Sequence, residues 1–214
     1  MTPLDGRRRR PGGRTKGGDS VAESLTRASY FSVALEILAA EGPGALTITE
    51  LCARLGVTKG SFYHHFDGRP QFVEALLDYW ATEHASRLIS ISASIADPAE
   101  RMSVLKNIAI TLPHDAEAAI RSWSSQDARV AAVQAEVDRS RHQHLRESYV
   151  IAGVPEPRAT LLATIAMSVL AGMQQLIRPA DADTVRDIFD QLETWFLADE
   201  SPASTSDPTR GMTK

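Results

Sequence analysis

Two helix-start signals, Thr47 and Thr58, stand on either side of a Gly56-Val57 break and leave room only for two short helices joined by a tight turn. Thr47 precedes an apolar-periodic run and has Glu50 three residues later, the spacing of a capping box. The first helix therefore runs from Ile48 to Leu55. Gly56 can take a positive φ at no steric cost, and Thr58 caps a second helix that reaches Phe66. Close crossing of the pair needs a small side chain on the first helix, and Cys52 occupies that place. Leu51, Leu55, Val57, Phe62 and Phe66 then pack inward, which is the internal arrangement of a helix-turn-helix.

Every other strongly patterned segment also reads as helix. Leu25, Ala28, Phe31, Leu35, Leu38 and Ala39 recur at helical spacing until Gly42-Pro43 stops them. Asp67-Gly68 precedes a long helix from Pro70 to about Ser94. Asp97-Pro98-Ala99-Glu100 supplies a cap, a first-turn proline and an N3 glutamate for the next, which Pro113 ends. Further helices follow over Asp115 to Ser125, Gln126 to Ala152, 158–177 and Asp183 to Ala198. No alternating β pattern of useful length appears. The expectation is an all-α chain of about nine helices, arranged as an N-terminal three-helix unit and a larger helical domain. The boundaries are a disordered basic arm over 1–20, the helix-turn-helix domain over 21–68, the larger helical domain over 69–199, and a disordered tail over 200–214.

The net charge of −4 hides a division. Residues 1–70 hold 10 Lys/Arg and 7 Asp/Glu, giving +3, whereas residues 71–214 hold 13 and 20, giving −7. A basic front on an acidic body suits a chain whose N-terminal end alone meets a polyanion. Arg7 to Arg10, with Arg14 and Lys16, either form a solvated tail or track phosphates. The arginine run leads into Pro-Gly-Gly and not into the apolar stretch of a signal peptide. Cys52 is the one cysteine, which excludes an internal disulfide and fits the cytoplasm. Ala159 to Ile177 carries no charge, yet Thr160, Thr164, Ser168, Gln174 and Gln175 favour a doubly buried helix over a membrane span.

The outward face of the second short helix carries Thr58, Lys59, Gly60, Ser61, Tyr63, His64 and His65. It is polar and basic, offers hydroxyl donors, and at Gly60 permits close approach. That chemistry suits a DNA major groove.

From about Leu25 to Leu77 the chain resembles the TetR family of transcriptional regulators, most specifically in Leu-Gly-Val-Thr-Lys-Gly-Ser-Phe-Tyr-His-His-Phe, residues 55–66. The resemblance implies that Thr47, Thr58, Lys59, Tyr63 and His64 contact phosphates, and that Lys59, Gly60 and Ser61 lie nearest the bases. Where the family usually has a lysine before the fourth helix, this chain has Arg69, which keeps the charge. It further implies that 21–68 is the DNA-binding domain and 69–199 an effector-binding and dimerisation domain, in an α-helical homodimer on double-stranded operator DNA that is released when a small-molecule effector enters the larger domain.

Candidate effector-pocket residues are Trp80, His84, Met102, Leu105, Trp123, Met167 and Leu170, although plain core packing gives the same spacing. Helix 158–177 is apolar on more than one face, so a four-helix interface with a second copy is expected, using Leu161, Ile165, Val169, Leu192, Trp195 and Phe196. No metal site is expected: His142 and His144 are two apart and point in different directions on a helix. Cys52 as a redox sensor is weighed against a buried, inert thiol, and burial is favoured. No nucleophile motif, phosphate loop or metal-ligand cluster points to an enzyme, and no cofactor is implied. The rival reading is a helical adaptor whose helix-turn-helix serves a protein partner.

Overall fold

The computed structural model describes residues 26–177 and 181–198. The basic arm, Leu25 and the C-terminal tail lie outside the described residues. Ten α-helices and no strand are found among them. They are α1 (Arg27–Glu41), α2 (Ile48–Leu55), α3 (Lys59–His65), α4 (Arg69–Ala81), α5 (Arg87–Ala93), α6 (Pro98–Thr111), α7 (His114–Ser124), α8 (Ala128–Ile151), α9 (Glu156–Leu176) and α10 (Ala182–Ala198).

The all-α expectation therefore holds, with one correction to the count. The segment expected as a single helix from Pro70 to Ser94 is divided by a π-helical turn at Thr82–Ser86. There the Arg87 N–H reaches back to the Thr82 carbonyl, one residue further than an α-helix would.

Local signals explain most other boundaries. The Asp97 carboxylate accepts from the Glu100 N–H at 2.7 Å, and Pro98 opens α6 where its missing N–H costs nothing. Thr47 accepts from the Glu50 N–H at 3.1 Å, but only half of the expected capping box forms. The Glu50 carboxylate turns instead to Arg54 at 2.8 Å, where a charged donor on the same face outcompetes a backbone N–H. The Thr47 N–H goes to the Ala45 carbonyl at 2.7 Å.

Two cores hold the molecule together. The larger begins with Tyr30, Phe31, Phe62, Phe66 and Phe72 and continues without a break through Trp80 to Ile120, Trp123 and Val137. Its aromatic centre is a set of edge-to-face and tilted pairs, such as Tyr30–Phe62 at 5.9 Å and Phe66–Phe72 at 4.9 Å. Helix α1 thus rests on α7 as well as on α2, and the helix-turn-helix shares its core with the body of the protein. The smaller core gathers Ile110, Leu112, Leu170, Met173 and Val185 from α6, the α6–α7 turn, α9 and α10.

Between α4, α7 and α8 lies a buried polar node. Glu117, 1% exposed, takes the Trp80 indole N–H at 3.0 Å and both terminal nitrogens of Arg141 at 2.8 and 3.0 Å. The Arg141 guanidinium also lies 6.0 Å from the Trp80 ring centroid. A carboxylate so deeply buried is tolerable only when each lone pair is met in this way.

Candidate nucleic-acid interface and effector cavity

The second helix of the pair is held from beneath. Phe62 and Phe66 are 0% and 2% exposed, so the inner face of α3 is fixed in the aromatic core. Gly56 sits at φ 66°, ψ 30°, the left-handed turn that brings α3 across α2. Cys52 is buried at the crossing, and its Sγ approaches the Thr58 carbonyl at 3.6 Å. Burial pushes the thiol pKa up, opposed by the nearby Lys59 charge, which makes Cys52 a packing group and not a reactive thiolate. Thr58 caps α3 by accepting from the Ser61 N–H at 3.3 Å.

On this scaffold Thr47, Thr58, Lys59, Gly60, Tyr63, His64 and Arg69 are exposed. Tyr63 presents 56% of its surface to solvent, a large fraction for an aromatic ring adjoining a core. Ser61 differs from the other residues of that face. It is half-buried, and its hydroxyl lies 3.0 Å from the Tyr30 hydroxyl on α1. His65, expected to point outward, is half-buried with its ring 5.4 Å from Tyr30. Arg69 donates from Nε to the Leu46 carbonyl at 3.1 Å, which ties the start of α4 to the residue preceding the helix pair. Arg27, which the sequence reading did not single out, donates to the His65 carbonyl at 3.5 Å and stacks 4.7 Å from the Phe66 ring. The helix pair is thereby gripped from α1 on one side and α4 on the other.

The second candidate site is a cavity of about 110 Å³ in the larger unit, walled by α5, α6, α8, α9 and α10. Of the expected lining residues, Met102, Leu105, Met167 and Leu170 do line it. Trp80 and Trp123 do not: both belong to the larger core, Trp80 against Glu117 and Trp123 among the residues around α7. Helical spacing placed them inward correctly but could not say which interior they face. The side chain of His84 lies outside the described residues. Polar residues that the sequence reading missed complete the wall, namely Lys106, Arg141, His144, Tyr149 and Glu193.

His144 is buried with its Nε2 2.7 Å from the Ser92 hydroxyl. Burial, assisted by the Arg101 charge, pushes its pKa down, so the ring is neutral at pH 7. Burial also pushes the Tyr149 hydroxyl up to about 12, so it remains a donor. His142 is engaged elsewhere, 2.9 Å from Thr164 Oγ1.

Leu192, expected at a dimer interface, is instead 6% exposed and lines the cavity, because α10 turns that face inward against α6 and α9. Leu161 and Trp195 are exposed at 55% and 62%, while Ile165 and Val169 are intermediate. The side chain of Phe196 lies outside the described residues. Helix α9 is long and apolar enough to cross a membrane by length and composition alone. Its Ala159, Leu162, Ala163, Ala166, Leu170, Met173 and Gln174 are nevertheless buried against the rest of the protein, so one face of it is a core face.

Residues 31–76 match the model of the bacterial regulatory proteins of the tetR family. A stretch of 52 residues is 35% identical to the HTH-type transcriptional regulator SrpR of Pseudomonas putida, covering 24% of this chain and 24% of that protein. The match thus spans about a quarter of the curated relative's length. Among solved structures, a TetR transcription regulator from Haloarcula marismortui superposes with a TM-score of 0.65 at 16% identity, over 80% of this chain and 96% of that one. A transcriptional regulator from Saccharomonospora viridis, solved in complex with choline, gives a TM-score of 0.64 at 17% identity, over 78% and 95%. At such identities the likeness establishes the shared fold.

Proposed function

We propose, from the match of residues 31–76 to the bacterial regulatory proteins of the tetR family, that the chain is a ligand-responsive transcriptional repressor of that family, binding palindromic operator DNA as a homodimer. The observation that carries this reading is the exposed surface of Thr58, Lys59, Gly60, Tyr63 and His64 on a helix whose opposite face is locked in core. Such a helix can enter a major groove without losing its own geometry. Thr47, Thr58, Lys59, Tyr63, His64 and Arg69 meet phosphates. Lys59, Gly60 and Ser61 lie nearest the bases, and Ser61 acts there while oriented by Tyr30.

Two copies pair through the outer faces of α9 and α10, where Leu161 and Trp195 expose apolar surface that water does not favour. In the dimer the two α3 helices sit about 34–36 Å apart, one turn of DNA. An effector in the cavity, acting in the cytoplasm where the operator lies, favours a state in which this separation changes. Its preference for that state sets the depth of derepression.

The test is fluorescence anisotropy of the purified protein on DNA tiled from beside its own gene, with unrelated DNA as competitor. A discrete palindromic site lost in the Lys59→Ala/Tyr63→Ala variant, with the dimer intact, supports the reading. Equal binding to every fragment that vanishes with salt refutes it and favours a protein partner for the helix pair.

A further inference from the structure

We propose that the cavity takes an uncharged, largely apolar molecule of about one ring that presents a carbonyl or ether oxygen to the Tyr149 hydroxyl. This inference rests on the ligand-responsive reading above and names the chemistry of its effector.

Size sets the first limit. About 110 Å³ holds roughly eight water-sized spheres, and hence a molecule on the order of ten non-hydrogen atoms. Wall chemistry sets the second. Met102, Leu105, Met167, Leu170 and Phe189 make the surface that such a molecule would touch. Both cations in the wall are already matched by acids of the protein itself. Lys106 reaches Asp190 and Glu193 at 2.7 Å each, and Arg141 is held by Glu117. A carboxylate ligand would have to displace these pairs, and Glu193 in the wall would repel it. A cation would find the wall carboxylate already committed to Lys106. The neutral His144 supplies no charge either. An ion entering would lose its hydration with little in return.

Tyr149 sets the third limit. It lines the cavity, and none of the described residues forms a hydrogen bond with its hydroxyl. Because that hydroxyl stays protonated, it donates, and the complementary ligand group is an acceptor.

Four probes of nearly one shape separate these limits: acetophenone, α-methylstyrene, benzoate and phenyltrimethylammonium. Calorimetric titration of the full-length, DNA-free protein is expected to rank acetophenone first. α-Methylstyrene, which has the same shape without the carbonyl, is expected to bind about fivefold more weakly. Each ion is expected to bind about a hundredfold more weakly or worse. The Tyr149→Phe variant should abolish the preference for acetophenone over α-methylstyrene while leaving α-methylstyrene affinity unchanged. Either ion binding as tightly as the ketone overturns the proposal, as does a ketone preference that survives in Tyr149→Phe. Because these titrations contain no DNA, their failure is distinct from failure of the operator-binding experiment. Release of operator DNA by the ketone then tests the regulatory reading separately.

Discussion

Changing Glu117 to Gln should destabilise the protein far more than its single lost charge would suggest. Glu117 is 1% exposed, and its partner Arg141 has a side chain only 11% exposed. In the variant, the oxygen that accepts from Trp80 can persist. The new amide N–H₂, however, faces the Arg141 nitrogen that had donated at 2.8 Å, donor against donor. Breaking a buried ion pair from one side costs about 3–5 kcal/mol, chiefly because the remaining charge loses its compensation. The retained Trp80 bond places Glu117→Gln near the lower end, about 3 kcal/mol. For a chain of this length each kcal/mol lowers Tm by roughly 2–4 °C, so a drop of about 6–12 °C is expected. Urea unfolding followed by far-UV circular dichroism gives the free energy, and calorimetry gives Tm. The double variant Glu117→Gln/Arg141→Met removes both charges, keeps the acceptor for Trp80 and should come to within about 1–2 kcal/mol of the wild type. A Glu117→Gln protein as stable as wild type would refute the reasoning, and so would a double variant no better than the single one.

Two further outcomes follow from the geometry. Gly56→Ala should cost about 1–2 kcal/mol in urea unfolding, because φ is 66° although nothing lies within 4 Å of the added carbon. Gly44→Ala, equally open but without the left-handed backbone, should be neutral or stabilising by about 0.5 kcal/mol; equal losses at the two sites would discredit the argument. His144, whose pKa is held below its ordinary 6.5 by burial and then by Arg101, binds its proton more readily in the unfolded chain. Its contribution to stability is therefore present above pH 6.5 and is lost as the pH falls below that value. The wild type should lose stability more steeply than His144→Gln on acidification from pH 7, and parallel slopes would show that His144 is not responsible.

The helix pair was legible because its determinants are local. Thr58, Gly56 and Cys52 act within a few residues of one another, through a cap, a left-handed turn and a close crossing. Tyr30, by contrast, sits 31 residues from Ser61 in the chain, and no local pattern announces that its hydroxyl meets Ser61 and its ring packs on His65. The cavity shows the same divide. Met102 and Trp80 are both apolar residues at helical spacing, and only the packing of distant helices sends one to a void and the other to a filled core. Leu192 was misassigned for the same reason. The turn at Thr82–Ser86 escaped because Thr-Glu-His-Ala-Ser contains neither proline nor glycine, the residues that usually mark a break.

That π turn gives the chain one place where its length can change without disturbing the cavity. A π turn carries one residue more than an α-helical turn over nearly the same rise. An in-frame deletion of one codon within residues 82–86 would let the segment wind as ordinary α-helix and leave α5 close to its present register on α4. Leu88 and Ile89 would stay in the cavity wall, and Ser92 would stay beside His144. The same deletion early in α8, an unbroken α-helix, would swing His144 and Tyr149 through about 100° and shift them by about 1.5 Å relative to its start. In a lineage of such proteins, a one-codon difference is therefore neutral at residues 82–86 and remakes the enclosed space in α8, with no lining residue substituted in either case.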